Sequence, residues 1–130
     1  MTSAPIRLQR RRDFLRVAGA GRKTARPGLV LQAAPWRDGD KGLVRIGFTA
    51  TKRIGNAVVR NRVRRRLKAA VAEIMPTHAA PGFDYVLIGR AGTADRPYDA
   101  LCRDLIAALK RLELYQDAAV PTGGTGQVLL

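Results

Sequence analysis

The stretch from Lys52 to Lys68, KRIGNAVVRNRVRRRLK, constrains this chain more than any other. It holds eight basic residues, Lys52, Arg53, Arg60, Arg62, Arg64, Arg65, Arg66 and Lys68, and no acidic one. Apolar residues recur through and beyond it at helical spacing: Val59, Val63, Leu67, Val71 and Ile74. At about 100° per residue these fall within an arc of roughly 120°, which predicts a helix anchored to a core on one side. Most of the arginines fall on the opposite side. Arg60 is the exception. It lands inside the apolar arc, but in the first turn, where a long side chain can snorkel past the helix end. Gly55-Asn56 opens the helix with Asn56 as N-cap, and the pattern stops before Pro76.

A face this dense in guanidinium groups repels itself and is of most use against a polyanion. Solvated helix faces usually mix signs and gain i,i+4 pairs. Here no acid occurs between Asp40 and Glu73. Asn is a poor helix former, so Asn61 is either a neutral surface residue or an amide contact to a partner.

Composition agrees. The 130 residues suffice for one domain with a real core, and a net charge of +14 points to nucleic acid or an anionic membrane surface. A hydrophobic content of 46% argues for a folded domain, not a basic disordered tail. Residues 7–26 form a second basic block: Arg7, Arg10, Arg11, Arg12, Arg16, Arg22, Lys23 and Arg26 against the single acid Asp13. The one cysteine, Cys102, excludes an intramolecular disulfide and fits a reducing compartment. No apolar run approaches the roughly 18 residues of a membrane span, and no apolar signal core follows the first charges. The expected location is the cytoplasm.

Residues 1–6 read as a loose leader. A short helix is expected over 11–18, with Phe14, Val17 and Ala18 on one side and Gly19 and Gly21 ending it. Residues 28–35 read as a strand, Trp36 to Asp40 as a turn around Asp38-Gly39, and 43–51 as a second strand. In that second strand Val44, Ile46, Phe48 and Ala50 point one way, and Arg45, Gly47, Thr49 and Thr51 the other. The two strands are expected to pair as an antiparallel hairpin with one wet, basic face. Residues 78–82 read as a loop. Tyr85-Val86-Leu87-Ile88 reads as a strand covered on both faces. Pro97 begins a last helix carrying Tyr98, Leu101, Cys102, Leu105, Leu109 and Leu112. The order is α-β-β-α-β-α, an α+β sandwich over residues 1–116 that forms a single domain, with 117–130 a disordered tail.

No protein-borne catalytic site is visible. His78 sits in a Pro/Ala loop and reads as a surface histidine; Cys102 lies on an apolar stripe and reads as core. No metal-ligand spacing occurs, and G-x-x-x-x-G-K-[ST] is absent. Phe14 reads equally as a core residue of the small helix or as a stacking platform for an unpaired base.

The run from Lys52 to Arg65 resembles the RNR signature of the bacterial ribonuclease P protein subunit. The resemblance starts at Arg7-Leu8, passes Asp13-Phe14, Val17 and the Arg45-Ile46-Gly47-Phe48-Thr49 strand, and ends at Leu114-Tyr115. It implies the ribosomal protein S5 domain 2-like fold: a small mixed sheet with a left-handed β-α-β crossover, against the usual rule. It implies a large catalytic RNA as partner in a one-to-one complex. That RNA cuts precursor tRNA at the 5′ end of the mature sequence using Mg²⁺, while the protein does not break the bond. It assigns contact with the catalytic RNA to Lys52, Arg53, Gly55, Asn56, Arg60, Asn61, Arg62, Arg64, Arg65 and Lys68. It assigns the single-stranded 5′ leader of the substrate to a cleft with Arg10, Phe14, Arg45 and Thr49. The chain departs from the family pattern in carrying Ala18 and Gln32 where relatives often have aromatics. Fewer stacking faces shift leader affinity towards charge and hydrogen bonds.

Two other classes share the charge. A ribosomal or DNA-coating protein would not need this signature or a cleft. A membrane-active helix would need Trp or Phe opposite the arginines, where this one offers Val, Leu and Ile.

Overall fold

A strand that is apolar on both sides can be buried only in the middle of a covered sheet, and residues 83–89 take that place. The computed structural model describes residues 6–8, 10–35 and 44–117. The elements in order are β1 (Ile6–Arg7), α1 (Arg11–Ala20), β2 (Arg22–Arg26), β3 (Leu29–Pro35), β4 (Val44–Thr49), a 3-10 turn (Lys52–Ile54), α2 (Ala57–His78), β5 (Phe83–Gly89) and α3 (Tyr98–Arg111). The five strands form one mixed sheet in the order β1-β4-β5-β3-β2. β4 runs parallel to both β1 and β5, while β3 runs antiparallel to β5 and β2.

The α+β class and the α-β-β-α-β-α order hold, with β1 and β2 as additions. The expected hairpin between 28–35 and 43–51 does not form. β5 lies between those strands, because Tyr85 and Leu87 fill the main core while Val86 is buried on the opposite face. The hairpin partner of β3 is instead β2, in register from Arg22↔Ala33 to Arg26↔Leu29. Ile6, expected in a loose leader, and Arg7 pair with Arg45 and Ile46.

Two further boundaries differ, and one side chain faces otherwise than expected. α1 runs through Gly19 to Ala20 and is capped at Gly21, whose N–H donates to Val17 O. Ala18 is exposed and does not join Val17 in the core. α2 continues past Pro76 to His78. A proline in the last turn removes one N–H, and Ala79 N still donates to Met75 O at 3.1 Å while Ile74 and Met75 are buried. The turn expected at Trp36–Asp40 and the tail from residue 118 lie outside the described residues.

The sheet separates two apolar layers. α2 covers β4 and β5, α3 covers β2 and β3, and Val63, Leu67, Ile74, Leu101, Leu105 and Leu109 close the main core against Leu29, Leu31, Ile46, Tyr85 and Leu87. Cys102 is buried there as expected, and burial pushes its thiol above its ordinary value. Among the described helices α1 is the one on the other face, where its Val17 joins Leu8, Ala34 and Val86 in a smaller cluster with Phe14 and Ile88 at its margin. The chain closes on itself where the His78 ring stacks on Tyr115 at 4.9 Å and its Nδ1 lies 2.7 Å from Gln116 O. His78 is thus a structural contact, not a bare surface residue. Among the described residues no helix is long and apolar enough to cross a membrane.

Candidate nucleic-acid interface

The arginine helix is positioned by its first turn. Gly55 ends the 3-10 turn at φ 148°, a backbone that only glycine adopts readily, and a Cβ there would lie 2.8 Å from Val59 Cβ. Asn56 then caps α2, its Oδ1 accepting from Val59 N at 3.0 Å. Val63 and Leu67 have no exposed surface and fix the rotation of the helix, which turns the basic side outward. Lys52, Arg53, Arg65 and Lys68 are exposed, and their side chains make no hydrogen bond or ion pair among the described residues.

The other basic side chains are held, and by neutral oxygens. Arg60 reaches back past the helix start and donates Nη1 to Gly55 O at 2.9 Å. Arg62 donates Nε to Ala94 O at 2.9 Å. Arg64 donates Nη1 to Asn61 Oδ1 at 3.1 Å, so the mid-helix Asn61 orients an arginine. Arg66 donates Nη1 to Thr93 O at 2.7 Å and Ala94 O at 2.8 Å, and Nη2 to Arg96 O. Thr93 braces that loop by donating Oγ1 to Gly28 O and accepting from Arg90 N, both at 2.7 Å. Among the described residues no carboxylate pairs with any basic side chain between Lys52 and Lys68. Carbonyl partners fix geometry without cancelling charge, so the face stays cationic.

The second surface lies between α1 and the sheet. Phe14 is half-buried over Gly47, where a Cβ would meet Phe14 Cζ at 2.5 Å. Gly47 is therefore the residue that lets the ring approach β4. Phe14 packs on the small cluster with its other side partly exposed, so it serves the core while keeping surface for a partner. Register puts Thr49 beside Ile88 and Ile88 beside Val30, a half-buried row on the face that carries α1. Arg10 is exposed at the start of α1. Gln32 is buried on the same face and offers no stacking surface. Arg45 is bound to Asp84 of β5, and Arg16 of α1 joins the same carboxylate.

Asp84, Arg16 and the clamp on loop 93–96 were missed by sequence reasoning. A lone acid heading an apolar run in a basic chain was the available signal for Asp84. The two surfaces are neighbours along the chain. Thr49 and Lys52 are three residues apart, a span of at most about 10 Å. Among the described residues no group of three or more His, Cys, Asp or Glu side chains comes together to hold a metal ion. The buried acids Asp84 and Asp104 are each taken up by arginine, so the donor set does not fit a protein-held Mg²⁺.

The family described as ribonuclease P matches residues 3–113 of the chain. The ribonuclease P protein component of Paramagnetospirillum magneticum is 55% identical over 112 residues, covering 85% of this chain and 84% of that protein. That of Gluconacetobacter diazotrophicus is 52% identical over 111 residues, covering 85% and 94%. Among solved structures, the RNase P protein from Thermotoga maritima superposes with a TM-score of 0.68 at 25% identity, over 81% of this chain and 96% of that one. The RNase P protein of Staphylococcus aureus has the same fold, with a TM-score of 0.71 at 24% identity over 85% and 97%.

Proposed function

The chain belongs to the ribonuclease P protein family, and on that premise we propose how its two basic surfaces divide the work of the enzyme. It is the protein component of ribonuclease P, an accessory subunit of that tRNA-processing endoribonuclease. The outer face of α2 and the turn before it bind the catalytic RNA, through Lys52, Arg53, Asn56, Arg62, Arg64, Arg65 and Lys68. Gly55, Arg60 and Asn61 serve the same contact by shaping the helix start and orienting Arg64. The cleft with Arg10, Phe14, Arg45 and Thr49 takes the single-stranded 5′ leader of precursor tRNA. The RNA partner holds Mg²⁺ and carries the cleavage. The protein supplies charge screening and leader placement in a one-to-one complex in the cytoplasm.

One observation carries this reading: a row of guanidinium groups held in place by neutral oxygens and unpaired with any described acid. Such a surface is built for phosphates. The leader half is tested with Phe14→Ala in the reconstituted holoenzyme. Base–aromatic stacking is worth about 1–3 kcal/mol per base, so affinity for precursor tRNA should fall about fivefold or more while mature tRNA binds unchanged. Equal losses for both RNAs would leave Phe14 a core residue only.

A further inference from the structure

Asp84 has no exposed surface, and it sits in the central strand beneath the cleft. A carboxylate withdrawn this far from water needs cations and hydrogen bonds around it. Two arginines supply both. Arg45 of β4 donates Nε to Oδ1 and Nη2 to Oδ2, each at 2.6 Å, a two-point pair that fixes the plane of the guanidinium as well as its place. Arg16 of α1 donates Nη2 to Oδ2 and Nη1 to Pro35 O, the latter at 3.0 Å. One buried acid thus gathers α1, β4 and β5, and the three charges leave a net +1 in the cleft wall. The Arg45 side chain remains 30% exposed.

We infer that Asp84 is a positioning residue for leader recognition: it holds Arg45 in the orientation that meets the phosphates of a single strand lying along the cleft. This rests on the reading of the cleft as the leader site. Asp84 cannot touch the RNA itself, because no part of it reaches the surface. An arginine left to sample its rotamers must be ordered when the leader binds, whereas a clamped one has already been ordered by folding. Charge alone does not provide this. A lysine at the same place would keep the charge but could not make the planar two-point pair.

The test uses the holoenzyme reconstituted from full-length protein and its RNA, and reads the ratio of precursor-tRNA to mature-tRNA affinity. Asp84→Asn keeps the shape and removes the charge. It should lower precursor affinity about fivefold, with mature-tRNA affinity and assembly with the RNA within about twofold. Arg45→Lys should lose the same ratio, and Asp84→Asn placed on Arg45→Ala should cost the ratio nothing more. If Arg45→Ala lowers the ratio while Asp84→Asn and Arg45→Lys keep it, charge at position 45 suffices and the inference is overturned. If Arg45→Ala itself keeps the ratio, the leader reading of the cleft falls and takes this one with it. If melting shows Asp84→Asn unfolded, Arg45→Lys decides alone, and a retained ratio overturns the inference.

Discussion

Adjacent arginines on α2 should fail in opposite ways. Arg66→Ala removes the clamp on the loop between β5 and α3, where Nη1 is shared between Thr93 O and Ala94 O and Nη2 reaches Arg96 O. A hydrogen bond from a charged donor contributes about 1.5–3 kcal/mol. The shared Nη1 counts as about one such bond, and carbonyls at the edge of an exposed loop partly regain water. The net loss should be about 2–3 kcal/mol, or about 8–12 °C in Tm for a domain of this size. Arg65 is exposed and has no partner among the described residues. Arg65→Ala should leave unfolding within about 0.5 kcal/mol of the parent. It should weaken assembly with the RNA and lower the salt slope by about 0.7–0.9. Urea and thermal unfolding of the free protein, set beside RNA titrations at several salt concentrations, measure both. The reasoning fails if Arg66→Ala unfolds like the parent, or if Arg65→Ala assembles normally at about 150 mM salt.

Gly47→Ala should act from the floor of the leader cleft, through Phe14. The new methyl displaces Phe14 from β4, costing about 1–3 kcal/mol in a melt and weakening precursor binding without touching the α2 face. Tyr85 sets an alkaline limit. Burial raises its phenol above the ordinary 10.0, so the native state keeps a proton that the unfolded state gives up, and stability falls as pH rises past that value. Tyr85→Phe should flatten that limb in unfolding curves taken from pH 8 upward. It should cost about 1 kcal/mol at neutral pH, since Ala80 O loses its donor.

Periodicity revealed the parts of this fold that carry their own pattern. The apolar stripe of α2, the alternation along β4 and the double-sided run of β5 each report what covers them, and each proved correct in facing. β2 reports nothing. Arg22-Lys23-Thr24-Ala25-Arg26 is an edge strand with solvent along much of both sides, and it exists because β3 offers a ladder. Strand order was illegible for a similar reason, since adjacency in sequence favours a hairpin that the burial demand of β5 overrides. In the candidate site Arg45 lay outside both basic blocks and was reached only through the family resemblance, whereas the basic residues of α2 were legible from charge density. Their division into clamps and exposed cations was not, because it depends on carbonyls about 30 residues away, such as Ala94 for Arg62.

The placement of β5 has a kinetic side. β3 and β4 each find their shared neighbour only in a strand that leaves the ribosome after the whole of α2. Until Phe83–Gly89 appears, β3 has only the exposed β2, and β4 only the two residues of β1. The nascent chain therefore carries most of its arginines, all those of α1 and α2 included, before it owns a complete sheet to hold them. Closing that sheet means threading a strand between two waiting edges, a non-local step that slows folding. The self-repulsion of the waiting chain opposes the same collapse. A polyanion nearby removes that repulsion, which makes the RNA a counter-ion for folding as well as a partner for the folded protein.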